Sequence, residues 1–385
     1  MTEQVVVLGA GYAGAGAIQR LEAELDDATL VWISDTDYHL VLHESHRVIR
    51  DPSVAEKITI PVETIKSPTT SFLQARVVGI DTEKREIELD SGESVDYDYV
   101  LVTLGSGTAY YGIPGLEEHS LTLKSLDDAL AIHDAVKEAA SEASASDPAR
   151  IAIGGAGLSG IQSAGEVAEF RDKHNAPIEI SLIEALPEIM PGQDPGLQSA
   201  VRDRLEARNV EILTDDPITE ATEERIEFDE GAPLEYDVFV WTGGITGRDC
   251  LNGANVEKQH NRIVTDATFQ TSDERVFSIG DSAIIDLPDS ENPAPPTAQA
   301  AWQAAELVGS NMARAIEGRP LETWTFTDKG TLISIGDKAV ASGVVGSPIG
   351  TFGSVPAKTL KKLVAARWIA DMSSWSEARK AWPYL

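Results

Sequence analysis

Cysteine is almost absent from this sequence, which contains Cys250 and no other. A single cysteine excludes an internal disulfide, a cysteine-ligated iron–sulfur cluster and a CxxC zinc site, and it is typical of a reducing compartment. No stretch approaches 18 consecutive apolar residues, so no transmembrane helix is predicted. The opening segment MTEQVVVLGAG has neither the basic region nor the apolar core of a signal peptide. We therefore expect a cytoplasmic protein.

Basic residues are scarce as well. The chain has 31 Lys and Arg residues and 63 Asp and Glu residues, which gives a net charge of −32. Such a surface repels nucleic acid, so we expect no nucleic-acid partner. An excess of hydrated carboxylates suits a cytoplasm at molar salt, where screening removes the self-repulsion, and this favours a halophilic origin. The alternative is an acidic, soluble protein without that adaptation.

Strand and helix patterns repeat along the chain. QVVVL near the N-terminus is followed by a glycine turn, a helical pattern and the strand pattern ATLVWISD, and the same order returns in RIAIGGAG, LSGIQSAGEVAEF and PIEISLIEA. The sequence therefore predicts an α/β fold with two Rossmann-like dinucleotide-binding domains and a C-terminal α+β segment that ends in an amphipathic helix. We expect residues 1–115 and 262–325 to form the first domain, 116–261 the second, and 326–385 the C-terminal segment.

The first glycine turn is a G-x-G-x-x-G pattern formed by Gly9, Gly11 and Gly14. Its glycines permit a tight turn, close approach of the backbone to a pyrophosphate, and close packing of helix on strand. The following helix N-terminus offers amide donors and a positive dipole to phosphates. An acidic residue about 20 positions onward binds ribose hydroxyls in such units, and Asp35, or else Asp37, occupies that place.

The second glycine turn repeats the pattern with Gly155, Gly157 and Gly160, and Glu184 ends its second strand. A carboxylate at that place repels a 2′-phosphate, so the sequence predicts NAD(H) and not NADP(H). Two such turns in one chain indicate electron transfer between two redox dinucleotides. We expect a resident flavin at one turn and an exchangeable nicotinamide at the other.

Longer stretches resemble a known family. VVVLGAGYAG, LVTLGSGTAYYGIPGLEEH, IGGAGLSGIQSAGEVAE and VFSIGDSA are similar to the flavoproteins with two dinucleotide-binding domains. PPTAQAAWQAAE and FTDKGTLISIG narrow the resemblance to the type II NADH dehydrogenases, which are single-subunit NADH:quinone oxidoreductases. The resemblance spans roughly residues 4–345. It implies non-covalent FAD in the first domain, NADH as the substrate of the second, and a quinone, most plausibly menaquinone, as the acceptor.

The resemblance also implies roles for residues near the nucleotides. Asp281 in IGDSA is expected to bind the ribityl chain of FAD, and Gly105 in VTLGSG to lie where the chain crosses between the domains. Gly243 and Gly244 in WTGG are expected to line the NAD side.

Three further side chains match the acceptor side of the family. The resemblance implies that Gln299 and Gln303 are the family's quinone-site glutamines. A glutamine amide can donate to a quinone carbonyl without adding charge. Helix packing with surface glutamines is the alternative. Lys329 would stabilise negative charge on the reduced flavin, unless it is an ordinary surface lysine.

The chain departs from the family at two places. Gln162 stands where the family has glutamate; it can orient a cofactor by hydrogen bonds but cannot carry a proton. The segment VLHESHRVIRD brings His43, His46 and Arg47 where the family is apolar. Those histidines either face the flavin or its acceptor, or, as we expect, are ordinary polar residues of a loop and helix.

The scarcity of cysteine bears on the route of the electrons. Disulfide reductases and sulfide:quinone reductases need two reactive sulfurs, and Cys250 alone supplies neither relay; we expect it to be a small, partly buried residue. Electrons therefore pass from NADH to flavin by hydride transfer and leave for an external acceptor. We find no Ser/His/Asp triad and no metal-ligand pattern, and we predict no metal.

The last 30 residues reverse the composition of the chain. Residues 356–385 carry six Lys or Arg against two acidic residues, together with three tryptophans. Leu360, Leu363, Val364, Trp368, Met372 and Trp375 recur at helical spacing and predict one apolar stripe. Such a helix suits the headgroup layer of an anionic membrane, which places the protein peripherally on the inner face of the cell membrane. Docking on the protein's own body or in a homodimer is the alternative.

Two other classes of function remain open at this level. One is a soluble NADH-dependent reductase of a small electron-carrier protein such as a ferredoxin or rubredoxin. The other is a non-enzymatic flavoprotein that senses redox state through NADH binding.

Overall fold

The computed structural model describes residues 3–25 and 27–385. Its first sheet has five parallel strands, in the order Val276–Ser278, Tyr99–Val102, Gln4–Leu8, Thr29–Ser34 and Ser71–Gln74. The strand Gln4–Leu8 is apolar in its last four residues because both faces of the sheet are covered. Val5 and Val7 pack into one core cluster, whereas Val6 and Leu8 pack into another.

Two helices cross closely beside this sheet, on the side of Val5 and Val7. Tyr12–Glu24 follows the first glycine turn, and Ala298–Ile316 packs against it along much of its length. Small residues allow the close approach, since a Cβ on Gly309 would lie 2.7 Å from the Cβ of Arg20.

The second sheet repeats this topology. Its four parallel strands lie in the order Val210–Leu213, Ile178–Ile183, Ala149–Gly154 and Val238–Trp241. In both sheets a central strand leads into a glycine turn and a helix, the next strand of the unit lies on one side, and a later strand lies on the other. The helices of this half are Leu126–Glu142, Leu158–His174 and Pro195–Glu206. The predicted α/β fold with two Rossmann-like halves is confirmed.

Each half also carries a small antiparallel sheet. These are Val77–Asp81, Glu86–Leu89 and Ser94–Asp96 in the first half, and Ile218–Ala221, Arg225–Phe228 and Leu234–Glu235 in the second. The other short elements are the paired strands Tyr38–Leu40 and Thr59–Pro61, the helices Arg47–Arg50, Ala55–Ile58, Val62–Ile65 and Leu116–His119, and the strands Lys258–Gln259, Arg262–Thr265 and Ala283–Ile285.

The two halves are joined by a short antiparallel pairing of Gly107–Thr108 with Ile245–Thr246. Leu251, Ala254 and Val256, which the predicted division assigns to the second domain, pack with the core of the first sheet. The division into residue ranges stays a prediction.

The C-terminal segment contains a three-stranded antiparallel sheet of Thr331–Ile335, Lys338–Ser342 and Thr351–Gly353. It packs on the helix Leu158–His174, where a Cβ on Gly165 would lie 2.6 Å from the backbone of Ile335. Two helices follow, Ser354–Met372, called here the C-terminal helix, and Trp375–Ala381.

The single apolar stripe predicted for the C-terminal helix is wrong. Trp368 and Met372 are buried against the protein's own body, whereas Leu363 and Val364 are exposed, and Trp375 belongs to the next helix. The helix instead buries a different face. Its residues recur every three to four positions and are Ala357, Lys361, Ala365, Trp368 and Met372. In the described residues, no helix combines the length and the apolarity needed to cross a membrane.

Candidate functional site

The first glycine turn has the geometry of a phosphate cradle. Gly9 has φ +101°, and a Cβ there would lie 2.5 Å from the carbonyl oxygen of Thr103. A Cβ on Gly14 would overlap the carbonyl of Gly9, so the helix packs directly on the strand. A Cβ on Gly11, in contrast, would meet no atom of the described residues within 4 Å. Gly11 caps the helix without a side chain, which leaves its first amides free for a ligand.

The second glycine turn is built in the same way. Gly155 has φ +89°, and a Cβ there would lie 2.7 Å from the Cα of Gly243. A Cβ on Gly160 would overlap the carbonyl of Gly155, while one on Gly157 would meet no described atom within 4 Å. The two turns therefore share close packing at the first and third glycines and open space at the second.

A threonine holds each turn in place, and neither threonine was predicted from the sequence. Thr103 donates its hydroxyl to the carbonyl of Leu8 at 2.6 Å, and Thr242 donates to the carbonyl of Gly155 at 2.9 Å. Each follows the strand that flanks its turn. In LVTLG and in VWTGG a threonine comes directly after the strand and shortly before a glycine, and this shared position is the signal that could have identified both.

The two predicted ribose-binding carboxylates differ in their surroundings. Glu184 accepts hydrogen bonds from the backbone N–H of Ala156 at 2.9 Å and of Leu186 at 3.1 Å, so its carboxylate is held beside the second turn. Asp35 and its alternative Asp37 are both solvent-exposed after the strand Thr29–Ser34. The structure thus brings Glu184 to its turn through defined contacts and leaves the choice between Asp35 and Asp37 open.

Asp281 lies beside the start of the first helix. A Cβ on its neighbour Gly280 would lie 3.0 Å from the Cβ of Ala13. Ser106 donates its hydroxyl to Asp281 Oδ2 at 3.3 Å, and Gly105 before it has φ +69° with open space at its Cβ position. Asp281 and Gly105 therefore lie near each other beside the first turn, and their contacts with FAD stay predictions.

Gly243 and Gly244 lie against the second turn. The hydroxyl of Tyr111 donates to the carbonyl of Gly243 at 3.0 Å, and the Tyr111 ring lies so close to Gly244 that a Cβ there would overlap it. Tyr111 comes from the connection that leaves the first half, so this contact joins both halves.

The side chains of Gln299 and Gln303 hold the backbone of the C-terminal segment. Gln299 Oε1 accepts from the N–H of Lys329 at 2.6 Å, and Gln303 exchanges hydrogen bonds with the backbone of Thr327 at 2.9 and 3.1 Å. The Lys329 side chain is exposed, as in the surface alternative. Quinone contacts of the glutamines and a flavin contact of Lys329 stay predictions.

Gln162 lies in a buried set of polar side chains. We call this set the buried polar cluster; its members are Glu44, His46, Arg47, Arg50, Gln162, Glu166, Ser334 and Lys361. The expectation that His43 and His46 are ordinary polar residues of a loop and helix is wrong for His46, which is 2% exposed. The segment folds inward because its charges find buried partners from the second half and the C-terminal helix.

Glu44 has two cationic partners in this cluster. Lys361 Nζ donates to Glu44 Oε1 at 2.6 Å, and Arg47 Nε donates to the other oxygen. Burial alone would raise the pKa of Glu44, but Lys361 and Arg47 outweigh it and hold that pKa well below its ordinary value. Lys361 is one of the six basic residues of the segment 356–385 that was predicted to lie at an anionic membrane, and instead it is 4% exposed.

The other end of the cluster centres on Gln162. Its amide nitrogen lies 3.2 Å from His46 Nε2 and 3.1 Å from Ser334 Oγ, and the hydroxyl of Ser334 lies 2.7 Å from the same histidine nitrogen. Burial lowers the pKa of His46 well below its ordinary value, and Lys361 lowers it further. The ring is therefore neutral at pH 7.

The C-terminal helix also reaches the first turn. Trp368 Nε1 donates to His39 Nε2 at 2.8 Å, and His39 Nδ1 donates to the carbonyl of Ala10 at 2.8 Å. Tyr12, the first residue of the helix after Gly11, is hydrogen-bonded to His43 and packs against Trp368 with ring centroids 4.8 Å apart. No motif in the sequence indicated these contacts.

The sequence pattern of the family described as pyridine nucleotide-disulphide oxidoreductase matches residues 3–305. The chain belongs to this family. Cys250, the lone cysteine, is partly buried as expected, and burial raises the pKa of its thiol. The disulphide to which the name of the pyridine nucleotide-disulphide oxidoreductases refers cannot form within this chain.

Known proteins are similar to this chain over nearly its whole length. The type II NADH:quinone oxidoreductase of Staphylococcus aureus is 29% identical over 385 residues, which cover 95% of this chain and 94% of the relative. The structure of NDH2 from Plasmodium falciparum in complex with NADH has a TM-score of 0.84 at 16% identity, and covers 100% of this chain and 98% of its own. The sulfide:quinone oxidoreductase of Aquifex aeolicus has a TM-score of 0.79 at 18% identity, with 97% and 93% coverage. The resemblance to the type II NADH dehydrogenases is confirmed.

Proposed function

We propose that this protein is an FAD-dependent NADH:quinone oxidoreductase that takes a hydride from NADH and passes two electrons to a membrane quinone. The observation that carries the proposal is the pair of glycine turns with matching geometry in one chain that has a single cysteine. The names of the similar proteins, type II NADH:quinone oxidoreductase and NDH2, support the same reaction. It balances as NADH + H⁺ + quinone giving NAD⁺ + quinol.

The first turn fits the diphosphate of FAD. Open space at Gly11 and free helix amides suit two phosphate groups, and the Asp281 carboxylate beside them suits hydroxyl groups of a ribityl chain. Bound there, FAD supplies the chemistry that accepts a hydride and releases electrons. The chain's own residues hold it without a covalent bond.

The second turn fits NADH. Open space at Gly157 admits a pyrophosphate, and Glu184, fixed by the amides of Ala156 and Leu186, accepts from ribose hydroxyls and repels the 2′-phosphate of NADPH. Gly243 and Gly244, beside Tyr111, line the same side. This chain therefore binds and orients the nicotinamide, and hydride transfer needs it to approach the flavin to about 3–3.5 Å.

A visible absorption spectrum of the purified protein tests the cofactor assignment. The protein should be yellow, and it should bleach with NADH under anaerobic conditions but not with NADPH. A short-chain menaquinone analogue should then restore the colour faster than oxygen does. If the flavin is reduced by NADH but no quinone reoxidises it faster than oxygen, the quinone assignment fails.

The C-terminal segment is the proposed contact with the inner face of the cell membrane. Leu363 and Trp375 are 53% and 72% exposed, and Val345, Ile349 and Val355 in the same segment are exposed as well. Exposed apolar and tryptophan side chains in one segment suit the headgroup layer of a bilayer. A quinone is dissolved in lipid, so its reductase has to reach the bilayer.

Sedimentation with anionic vesicles at high salt tests this contact. The double variant Leu363→Ser and Trp375→Ser should lose vesicle binding. Val78→Ser, which changes an apolar residue of the first half that is 49% exposed, should retain it. Deleting residues 356–385 would be a poor test, because Trp368 and Lys361 belong to the buried interior. If the double variant leaves vesicle binding intact but abolishes a dimer in solution, the surface is instead a contact between two copies.

A further inference from the structure

Two carbonyls in the middle of the first glycine turn accept hydrogen bonds from ring nitrogens. The indole N–H of Trp32 donates to the carbonyl of Gly9 at 2.9 Å, and His39 Nδ1 donates to that of Ala10 at 2.8 Å. Both side chains are fully buried. In a trans peptide the C=O and the following N–H point in opposite directions, so the N–H groups of Ala10 and Gly11 point away from these rings.

Those two N–H groups are available to a ligand. Among residues 3–25 and 27–385, neither the N–H of Ala10 nor that of Gly11 has a hydrogen-bond acceptor, and the Cβ position of Gly11 opens on space. A diphosphate bound at a helix N-terminus needs backbone donors of this kind. The bonds to the two carbonyls therefore set the direction of the amides before any cofactor arrives.

The bond from Trp368 decides which nitrogen of His39 carries the proton. An indole N–H can only donate, so His39 Nε2, which lies 2.8 Å from Trp368 Nε1, has to accept. In a neutral imidazole the other nitrogen is then protonated, and Nδ1–H is the donor that the carbonyl of Ala10 requires. Without the indole N–H, the ring could take the opposite tautomer and turn a lone pair toward the carbonyl oxygen.

Packing leaves the imidazole of His39 little freedom to turn. Tyr12 lies edge-on to it, with ring centroids 5.1 Å apart and an interplanar angle of 85°, and Trp368 lies 5.6 Å away at 65°. Trp302 packs on the indole of Trp368 in turn, with centroids 4.5 Å apart. The imidazole is thus held between the first helix and a residue 329 positions further along the chain.

The second turn holds the equivalent peptide by contacts within its own half. The carbonyl of Ala156 accepts from the backbone N–H of Met190 at 2.9 Å, and the N–H of Ala156 donates to Glu184 at 2.9 Å. Of the two turns, the first therefore depends on the C-terminal helix and the second does not.

Resting on the proposed function, we propose that His39 and Trp368 are positioning residues for the diphosphate of FAD. Trp368 fixes the tautomer of His39, His39 holds the carbonyl of Ala10 away from the ligand, and the N–H of Gly11 is thereby left facing the space for a phosphate. Both side chains act through the backbone, without touching the cofactor. Retention of FAD then depends on the docking of the C-terminal helix, whereas binding of the nicotinamide cofactor at the second turn does not.

Loss of FAD from the diluted holoenzyme, measured as free flavin after ultrafiltration, tests the role of His39. His39→Leu and His39→Asn form a matched pair, because both lose the bond to Trp368 but the asparagine amide can still donate to the carbonyl of Ala10. FAD should dissociate at least tenfold faster from His39→Leu, and from His39→Asn within threefold of the wild-type rate. Equal dissociation from the two variants would overturn the proposal.

Trp368→Phe tests the tautomer step, because it keeps an aromatic ring and removes the indole N–H. FAD should dissociate at least fivefold faster, while the affinity for NAD⁺, measured by calorimetry, should stay within twofold of the wild type. Trp302→Phe is the control, since Trp302 contacts the same indole but is not bonded to His39. If both variants lose FAD alike, lost packing explains the effect and the proposal fails. This comparison decides the question even if His39→Leu does not fold.

Nitrogen NMR of protein labelled at its histidines gives a readout that needs no turnover. His39 should appear as the Nδ1-protonated tautomer, assigned by its absence from His39→Asn, and Trp368→Phe should shift it toward the Nε2-protonated form. His133→Leu is the control, because the buried His133 bonds through Nδ1 to the carbonyl of Ile49, and it should change neither this signal nor FAD retention. An Nε2-protonated His39 in the wild type overturns the proposal. If the wild-type protein takes up no FAD, the proposed function fails, whereas the tautomer of His39 is still measured.

Discussion

Trp368 and His39 are linked by a hydrogen bond of 2.8 Å from the indole N–H to Nε2 of the imidazole. The other ring nitrogen donates to the carbonyl of Ala10, within the first glycine turn. One neutral imidazole thus connects the C-terminal helix to the backbone expected to hold FAD. Burial lowers the pKa of His39 to about 4, because a charged ring could not accept from Trp368 and would lie in an apolar surrounding.

This shift predicts a loss of stability on mild acidification. The unfolded chain binds a proton at His39 below about pH 6.5, while the folded chain binds it only near pH 4, so stability falls as the pH drops through that interval. The full loss is about 3 kcal/mol for one such group. Guanidinium unfolding at pH 7.5 and pH 5 should show about 2 kcal/mol of this loss, because pH 5 still lies above the folded pKa, and His39→Gln should reduce it. His43, with its pKa also about 4, contributes in the same interval, so the dependence should not vanish. Equal pH dependence in His39→Gln and wild type would contradict the assignment.

The Lys361–Glu44 ion pair predicts a large cost for removing one partner. Lys361→Met leaves Glu44 buried with Arg47 alone, and the free energy of unfolding should fall by about 3–5 kcal/mol. Lys362→Met is the matched control, since Lys362 is half-buried and binds a backbone carbonyl instead of a carboxylate. Urea unfolding at pH 7 measures both variants. A double variant with Glu44→Gln should cost less than the sum of the single changes, and additive losses would argue against a coupled pair.

Glu184 predicts the preference between the two nicotinamide cofactors. Glu184→Ala removes the acceptor for ribose hydroxyls and leaves the amides of Ala156 and Leu186 without their carboxylate. Because hydrogen bonds to a charged group contribute about 1.5–3 kcal/mol, kcat/KM for NADH should fall about 10- to 100-fold. The value for NADPH should rise. Flavin reduction by each cofactor measures the change, with the exposed Glu188→Ala as the control. An unchanged NADH-to-NADPH ratio would exclude this role.

The second turn predicts opposite outcomes for neighbouring glycines. A Cβ at Gly157 meets open space, so Gly157→Ala should fold with a free energy of unfolding within about 0.5 kcal/mol of the wild type. It should nonetheless weaken NADH binding at least tenfold, because the methyl group occupies the space expected for the pyrophosphate. Gly155→Ala should be destabilised or fail to fold, since φ is +89° and the Cβ would strike the backbone of Gly243. Calorimetry of folding and of NADH binding distinguishes them, and tight NADH binding by Gly157→Ala would place the phosphates elsewhere.

Much of the fold could be predicted because its determinants are local. A run such as QVVVL, a G-x-G-x-x-G turn and a strand ending in Glu184 each specify their own conformation within about 30 residues. The paired turns, the doubled topology and the resemblance to type II NADH dehydrogenases follow from such runs. The contacts of Thr103 and Thr242 were within reach of the same reasoning, since both follow flanking strands.

The C-terminal helix shows where periodicity is not enough. Helical spacing groups apolar residues but does not say which neighbour covers them, and here Ala357, Ala365 and buried Lys361 share the inner face with Trp368. A lysine at such a position is stable only because Glu44, more than 300 residues away in the chain, lies opposite. Sequence spacing carries no record of that partner.

By itself, the sequence determined the two glycine turns and their acidic partners, because each depends on residues close together in the chain, and it also determined the absence of a second cysteine. Only the tertiary structure decided that His46, Glu166 and Lys361 meet in one buried cluster, and that His39 joins Trp368 to the first turn. Burial and long-range pairing set the charge of these groups, and both are properties of the packed molecule.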